Sequence, residues 1–258
     1  MSWPEGHVAG AASVIKGSRC VECTPGGRKM PSSAGPWVVE WLTVERFAKY
    51  VRAAGGDHAR ALAFYEWNAR LSAELLHDLG HLEVGLRNAY DRALLAHPAI
   101  HGRDWIEQAT YEQLLPVHLA LDSHGVPQDK NATPHSAIKA ARRYARYTAG
   151  GPTPRGKVIA ELMFGFWTYL SDGLHEKTLW VPALNRAYQP GTDRVKIHDA
   201  LTDLRDIRNR LAHNESVFDR RPENIRRSLV FVARSLSPDL RDQIVSTSRA
   251  FETISARP

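Results

Sequence analysis

The sequence predicts an all-α fold, and three observations carry the prediction. Apolar residues recur at three- and four-residue spacing in segment after segment, as helices with one buried stripe require. No alternating apolar and polar run persists that would make a strand. Helix-start and helix-stop residues, among them Thr43, Gly55-Gly56, Asp57, Asp193 and Pro222, stand at the ends of the periodic segments.

Taken in order, residues 1–37 read as a disordered lead, rich in Gly, Ser and Pro, in which Met30 is a second candidate start. Cys20 and Cys23, the only cysteines, form one CxxC there, and no second CxxC or nearby His pair completes four zinc ligands. A single domain over 38–258 follows. Its first helix starts near Trp41, with Thr43 as a candidate N-cap, and stops at Gly55-Gly56. Asp57 caps a second helix from His58 to about Leu71, and Ser72 begins or continues a third that runs to Leu95, before Pro98. Residues 98–130 hold a helical piece around Trp105 to Leu121 and a turn at Gly125-Val126-Pro127. Pro134 to about Tyr147 is helical, with Lys139, Arg142, Arg143 and Arg146 on one face and Tyr147 beside them, a surface suited to a nucleic-acid backbone. Val158 to about Leu174 is the most apolar segment and the expected central core helix, with Gly165 admitting another helix backbone. Thr192 or Asp193 caps the next long helix, Pro222-Glu223 starts another that runs to Leu236, and Pro238 begins a last one to about Ile254.

With 258 residues and 43% hydrophobic content, the chain can bury one full core. Lys and Arg total 34 against 28 acidic residues, a formal charge of +6, and 26 of the 34 are Arg. That balance favours an anionic partner, because a guanidinium clamps phosphate in two-pronged fashion. No apolar run reaches the ~18 residues of a membrane helix, and the N-terminus lacks a charged segment followed by an apolar core. The expectation is a soluble, cytoplasmic protein without a membrane partner.

The long helix before Pro222 holds the chemistry. Leu201, Leu204, Ile207, Leu211 and Ala212 fall on one arc of roughly 140°, and Arg208 falls inside it. A guanidinium on an apolar stripe needs an anionic partner. Asn209 and His213, four apart, stack beside that stripe. The third helix repeats the anomaly, with Glu83 inside an apolar arc of roughly 120° made by Leu75, Leu76, Leu79, Leu82, Leu86, Tyr90 and Leu94, and Arg87 at its edge. Two such helices facing each other would pair Glu83 with Arg208, or with both arginines.

Two decoys fail on chemistry. Gly151 to Lys157 follows a phosphate-binding loop for seven positions, yet Val158 stands where a hydroxyl must hold magnesium, and Pro152 and Pro154 remove amide donors. His77 and His81 have the spacing of a zinc-protease helix, but Asp78 replaces the longer Glu and Gly80 weakens the helix. No metal and no cofactor is expected.

Four ordered stretches carry a resemblance: Phe64-Tyr65-Glu66-Trp67-Asn68 with Leu71-Ser72, Leu82-Glu83-Val84-Gly85-Leu86-Arg87-Asn88, Met163-Phe164-Gly165-Phe166-Trp167, and Ile207 to Glu215. Together they resemble the motifs of the bacterial Abi-like (abortive infection, AbiD/AbiF type) family within the HEPN superfamily of helical RNases. The resemblance implies a HEPN-type helical bundle with additional helices. It implies a metal-independent endoribonuclease of a phage-defence or toxin system, with the motif at a homodimer interface and an inhibitory RNA or antitoxin as a further partner. Its catalytic residues would be Arg208, Asn209 and His213, supported by Glu83, Arg87, Asn88 and Asn214. Arg210 would join Lys139, Arg142, Arg143 and Arg146 in holding RNA. The alternatives are a catalytically inactive HEPN module that binds RNA or protein, and a helical interaction protein whose buried charges specify packing.

Overall fold

The computed structural model describes residues 35–150 and 153–258. The expectations for the lead, for Cys20, Cys23 and Met30, and for Gly151 and Pro152 lie outside these residues. The described residues are all-α except for one short hairpin.

Helix α1 (Pro36–Leu42) begins inside the segment expected to be lead, and Thr43 separates it from α2 (Val44–Ala53). Thr43 caps α2 through a contact from the Arg46 N–H at 3.5 Å. Gly55 and Gly56, both at positive φ, end the helix. Asp57 Oδ1 accepts from the N–H groups of Ala59 at 2.9 Å and Arg60 at 3.0 Å, and opens α3. No break follows at Ser72: α3 (His58–Leu95) is one helix of 38 residues, some ~57 Å long. It is the spine of the fold, and α2, α8 (Arg194–Ala212), α9 (Pro222–Leu236), α10 (Pro238–Thr247) and α11 (Ala250–Ser255) pack along it.

Beyond α3 three expectations fail, each for a local reason. Helix α4 (Gln108–Leu114) stops before Pro116, and the expected helix tail is instead strand β1 (Leu119–Leu121) paired antiparallel with β2 (Pro127–Asp129). Asp122 makes that turn, its Oδ1 accepting from His124 and Val126 N–H at 2.8 and 2.9 Å. The core helix expected over Val158 to Leu174 is broken into α6 (Arg155–Glu161) and α7 (Phe164–Tyr169), with Met163 extended between them. The buried Trp167 indole donates to the freed Leu162 carbonyl at 3.1 Å, so the break leaves that acceptor satisfied. Past α9 (Pro222–Leu236), the expected last helix is likewise split into α10 (Pro238–Thr247) and α11 (Ala250–Ser255). There Ser248 Oγ donates to Asp78 of α3 at 2.6 Å and accepts from Ala250 N–H at 3.2 Å.

Asp78 is 1% exposed, so in the protease-like stretch it is an anchor for Ser248. In the phosphate-loop-like stretch, Arg155 is an anchor too: it donates to Asp91 of α3 at 2.7 Å and to Asp104 at 2.8 Å. The close backbone approach expected at Gly165 is a different contact, since a Cβ there would meet only the Arg205 side chain at 3.6 Å. The tight glycine is Gly85 of α3, whose missing Cβ would lie 2.5 Å from Leu240 of α10. No described helix is long and apolar enough to cross a membrane.

Candidate active site at the end of the eighth helix

Helix α8 (Arg194–Ala212) starts on Asp193, which accepts from Val195 and Lys196 N–H at 2.8 and 3.2 Å. Ile197, Leu201, Leu204, Ile207 and Leu211 are buried against α3, α7 and α9. Ala212, placed on that stripe by periodicity, is exposed, because the helix ends there.

The ending is built from main chain. Asn214 adopts the left-handed conformation (φ 51°) that Asn tolerates better than most residues. The Glu215 N–H returns to the Arg210 carbonyl at 2.9 Å and the Asn214 N–H to Leu211 at 3.0 Å, the paired bonds of a Schellman stop. Arg210 pairs with Glu215 at 3.2 Å and donates to the Ser216 carbonyl at 2.9 Å. Arg46 reaches across from α2 to the Asn214 carbonyl at 3.3 Å. Beneath them the buried Asn68 of α3 accepts from the Val217 N–H at 2.9 Å. Sequence reading missed this role for Asn68. The available signal was a polar residue on the stripe between Phe64 and Leu71, the same kind of anomaly that marked Glu83 and Arg208.

On this fixed end sit the candidate residues. Arg208 is half-buried, while Asn209 and His213 are exposed, His213 being the C-cap itself. Among the described residues their side chains make no hydrogen bond or ion pair. Glu83 faces the site from α3. Desolvation pushes its carboxyl above the usual range, opposed first by Arg208, then by Arg87 and the Phe164 N–H. Glu83 and Arg208 are therefore electrostatic neighbours, but the direct ion pair expected between them is not formed. Asn88 is exposed and makes no hydrogen bond to the motif.

The basic face of α5 (Ala132–Ala149) is only partly free. Lys139, Arg143 and Arg146 are exposed, whereas Arg142 donates to the Ile106 carbonyl at 3.1 Å. The expected RNA contact at Arg210 is likewise held by Glu215 and Ser216. Two hollows flank α8, and Asn209 lines both. One, within the roughly 300 to 1,000 Å³ range of small-ligand sites, has a volume of ≈ 600 Å³ and is lined by Asp203, Asp206, Arg210 and Arg220. The other, ≈ 530 Å³, lies between α5, the α6–α7 break and α8.

No protein-family model, curated protein or solved structure matches the chain. The site therefore rests on its own geometry. That geometry offers a half-buried cation, an amide and an imidazole at one helix end, groups able to hold a phosphodiester and to move a proton.

Proposed function

We propose that the chain is a metal-independent endoribonuclease of the HEPN type, acting in a phage-defence or toxin system, with Arg208, Asn209 and His213 as its working residues. The observation that carries this reading is the set of side chains that have no partner among the described residues, at an end of α8 that the Schellman stop, Asn68 and Arg46 otherwise hold in place. In the reaction the RNA 2'-oxygen attacks phosphorus, the bond to the 5'-oxygen breaks, and a 2',3'-cyclic phosphate and a 5'-hydroxyl result. His213 moves the proton, and Arg208 stabilises the charge that grows on the phosphate oxygens. Glu83 keeps Arg208 oriented.

Arg208 and His213 are five positions apart, so they project about 140° apart around α8. This supports a homodimer, in which the Arg of one protomer and the His of the other meet on one phosphate. The Arg208 and His213 side chains, unpartnered among the described residues, also serve a second reading, an inactive module that uses the Arg and His as an anion site.

The test is incubation of purified protein with cellular RNA in EDTA, with the cut ends mapped and the mass measured by light scattering. Cleavage to cyclic-phosphate ends by a dimer is expected. Cleavage abolished by EDTA and restored by a divalent metal refutes the mechanism, and a protein that binds but never cuts is the inactive module.

A further inference from the structure

The ≈ 530 Å³ groove beside Asn209 differs in kind from the polar site next to it. Tyr144, Met163, Phe166 and Tyr169 wall it, and two of these are large exposed side chains, Met163 at 63% and Tyr144 at 56%. Apolar side chains left bare around a concave surface mark a ligand site more often than a solvated one. The rim is polar and specific: Glu161 at the end of α6, and Arg205 and Asn209 on α8. Arg205 is held by Asp206 through contacts of 3.0 and 2.9 Å, so its aliphatic stem, packed over Gly165, completes the wall.

Position and charge say what fits. Asn209 adjoins Arg208 in the chain, so whatever enters the groove lies next to the place where Arg208 would hold a phosphate. Aromatic walls stack on an unpaired base whatever its sequence, and the polar rim reads its edge. A carboxylate accepts and cannot donate. Guanine presents two adjacent donors, the N1–H and the N2 amino group, to one carboxylate, and adenine presents a donor beside an acceptor. The exposed Lys139, Arg143 and Arg146 lie about 100° to 180° round α5 from the groove-lining Tyr144 and Ala137, so charge attraction and base selection are on different faces.

We infer that this groove receives an unpaired guanine of the RNA, next to the bond that is cut, stacked on Tyr144 and read by Glu161. The inference rests on the ribonuclease reading of Arg208 and His213. Its test uses the full-length protein in two assays, equilibrium binding of the four 5'-mononucleotides and end sequencing of a randomised RNA after cleavage. GMP should bind in preference to AMP, CMP and UMP, and guanine should dominate one position beside the cut. Tyr144→Ala, at an exposed position, should weaken GMP binding by about 5- to 150-fold, the range of one lost base stack. Glu161→Gln should level the preference for guanine while cleavage continues. Wild-type cleavage with no base preference beside the cut and no GMP binding overturns the inference and leaves the ribonuclease reading standing. GMP binding that depends on Glu161, in a protein that cuts no RNA, supports the base site and removes the ribonuclease reading. If Tyr144→Ala instead turns a dimer into a monomer with base preference unchanged, the groove is covered by a second copy and the inference falls.

Discussion

The two ends of α8 use the same residue types to opposite purposes. At the N-terminal end, Arg194 donates to the Ser171 carbonyl at 3.0 Å and to Glu176 at 3.2 Å. His198 Nδ1 meets Ser171 Oγ at 3.0 Å, and because that hydroxyl already donates to Thr168 at 2.7 Å, the imidazole must be the donor. At the C-terminal end, Arg208 and His213 have no such partners among the described residues. An Arg and a His on a helix therefore say little by themselves. The two pairs differ in hydrogen-bonding capacity, which the fold uses at one end and, among the described residues, leaves unused at the other.

The sharpest way to break the comparison is to delete the two histidines separately. His213→Ala is expected to lower cleavage by about 10² to 10⁴, the usual share of general acid–base catalysis, with RNA affinity and melting temperature little changed. His198→Ala should do the reverse, leaving the rate intact and costing about 1 kcal/mol of stability. Equal rates in wild type and His213→Ala would end the assignment. The arginines form a second pair. Arg208→Ala should cost about 10² or more in rate and strand Glu83 without its main opposing charge, so Glu83→Gln in the same chain should recover stability but not activity. Arg194→Ala should shift only the melting temperature.

Acid should find the closed end first. His175, 1% exposed beside Asp172, has its pKa lowered by burial from 6.5 to about 4. Its folded pKa lies below its unfolded one, so stability is complete above pH 6.5 and is lost as pH falls toward 4. The loss is at most about 3 kcal/mol. Denaturant midpoints measured across that window should fall in the wild type and flatten in His175→Phe. A last variant sharpens the contrast from beneath: Asn68→Ala leaves the Val217 N–H buried and unmet, at about 1 to 3 kcal/mol, and should slow cleavage only modestly, by loosening the open end rather than by removing a reacting group.

Much of this was legible from local chemistry. Asp57, Asp193 and the Gly55-Gly56 stop bound their helices as a reader of caps expects, and Glu83 and Arg208 announced themselves as charges on apolar stripes. What escaped depends on partners distant in sequence. The groove wall that meets the break at Met163 comes from α5 and α8, and nothing near Ser248 names Asp78 as its acceptor, 170 residues away. Nothing near Gly85 says that Leu240 will be set against it. The expected ion pair of Glu83 with Arg208 erred in the same way: periodicity gives the face of a helix but not the last ångströms between two of them.

The unbroken length of α3 has a consequence of its own. Asn68, Asp78, Glu83, Gly85 and Asp91 lie along that single rod, and they answer in turn to the loop after α8, the α10–α11 break, the neighbourhood of Arg208, Leu240 and Arg155. One inserted or deleted residue would turn everything beyond it by about 100° and put these appointments out of phase together. The spine thus acts as a camshaft, forgiving in which side chain a surface position bears and intolerant of any change in the count between them.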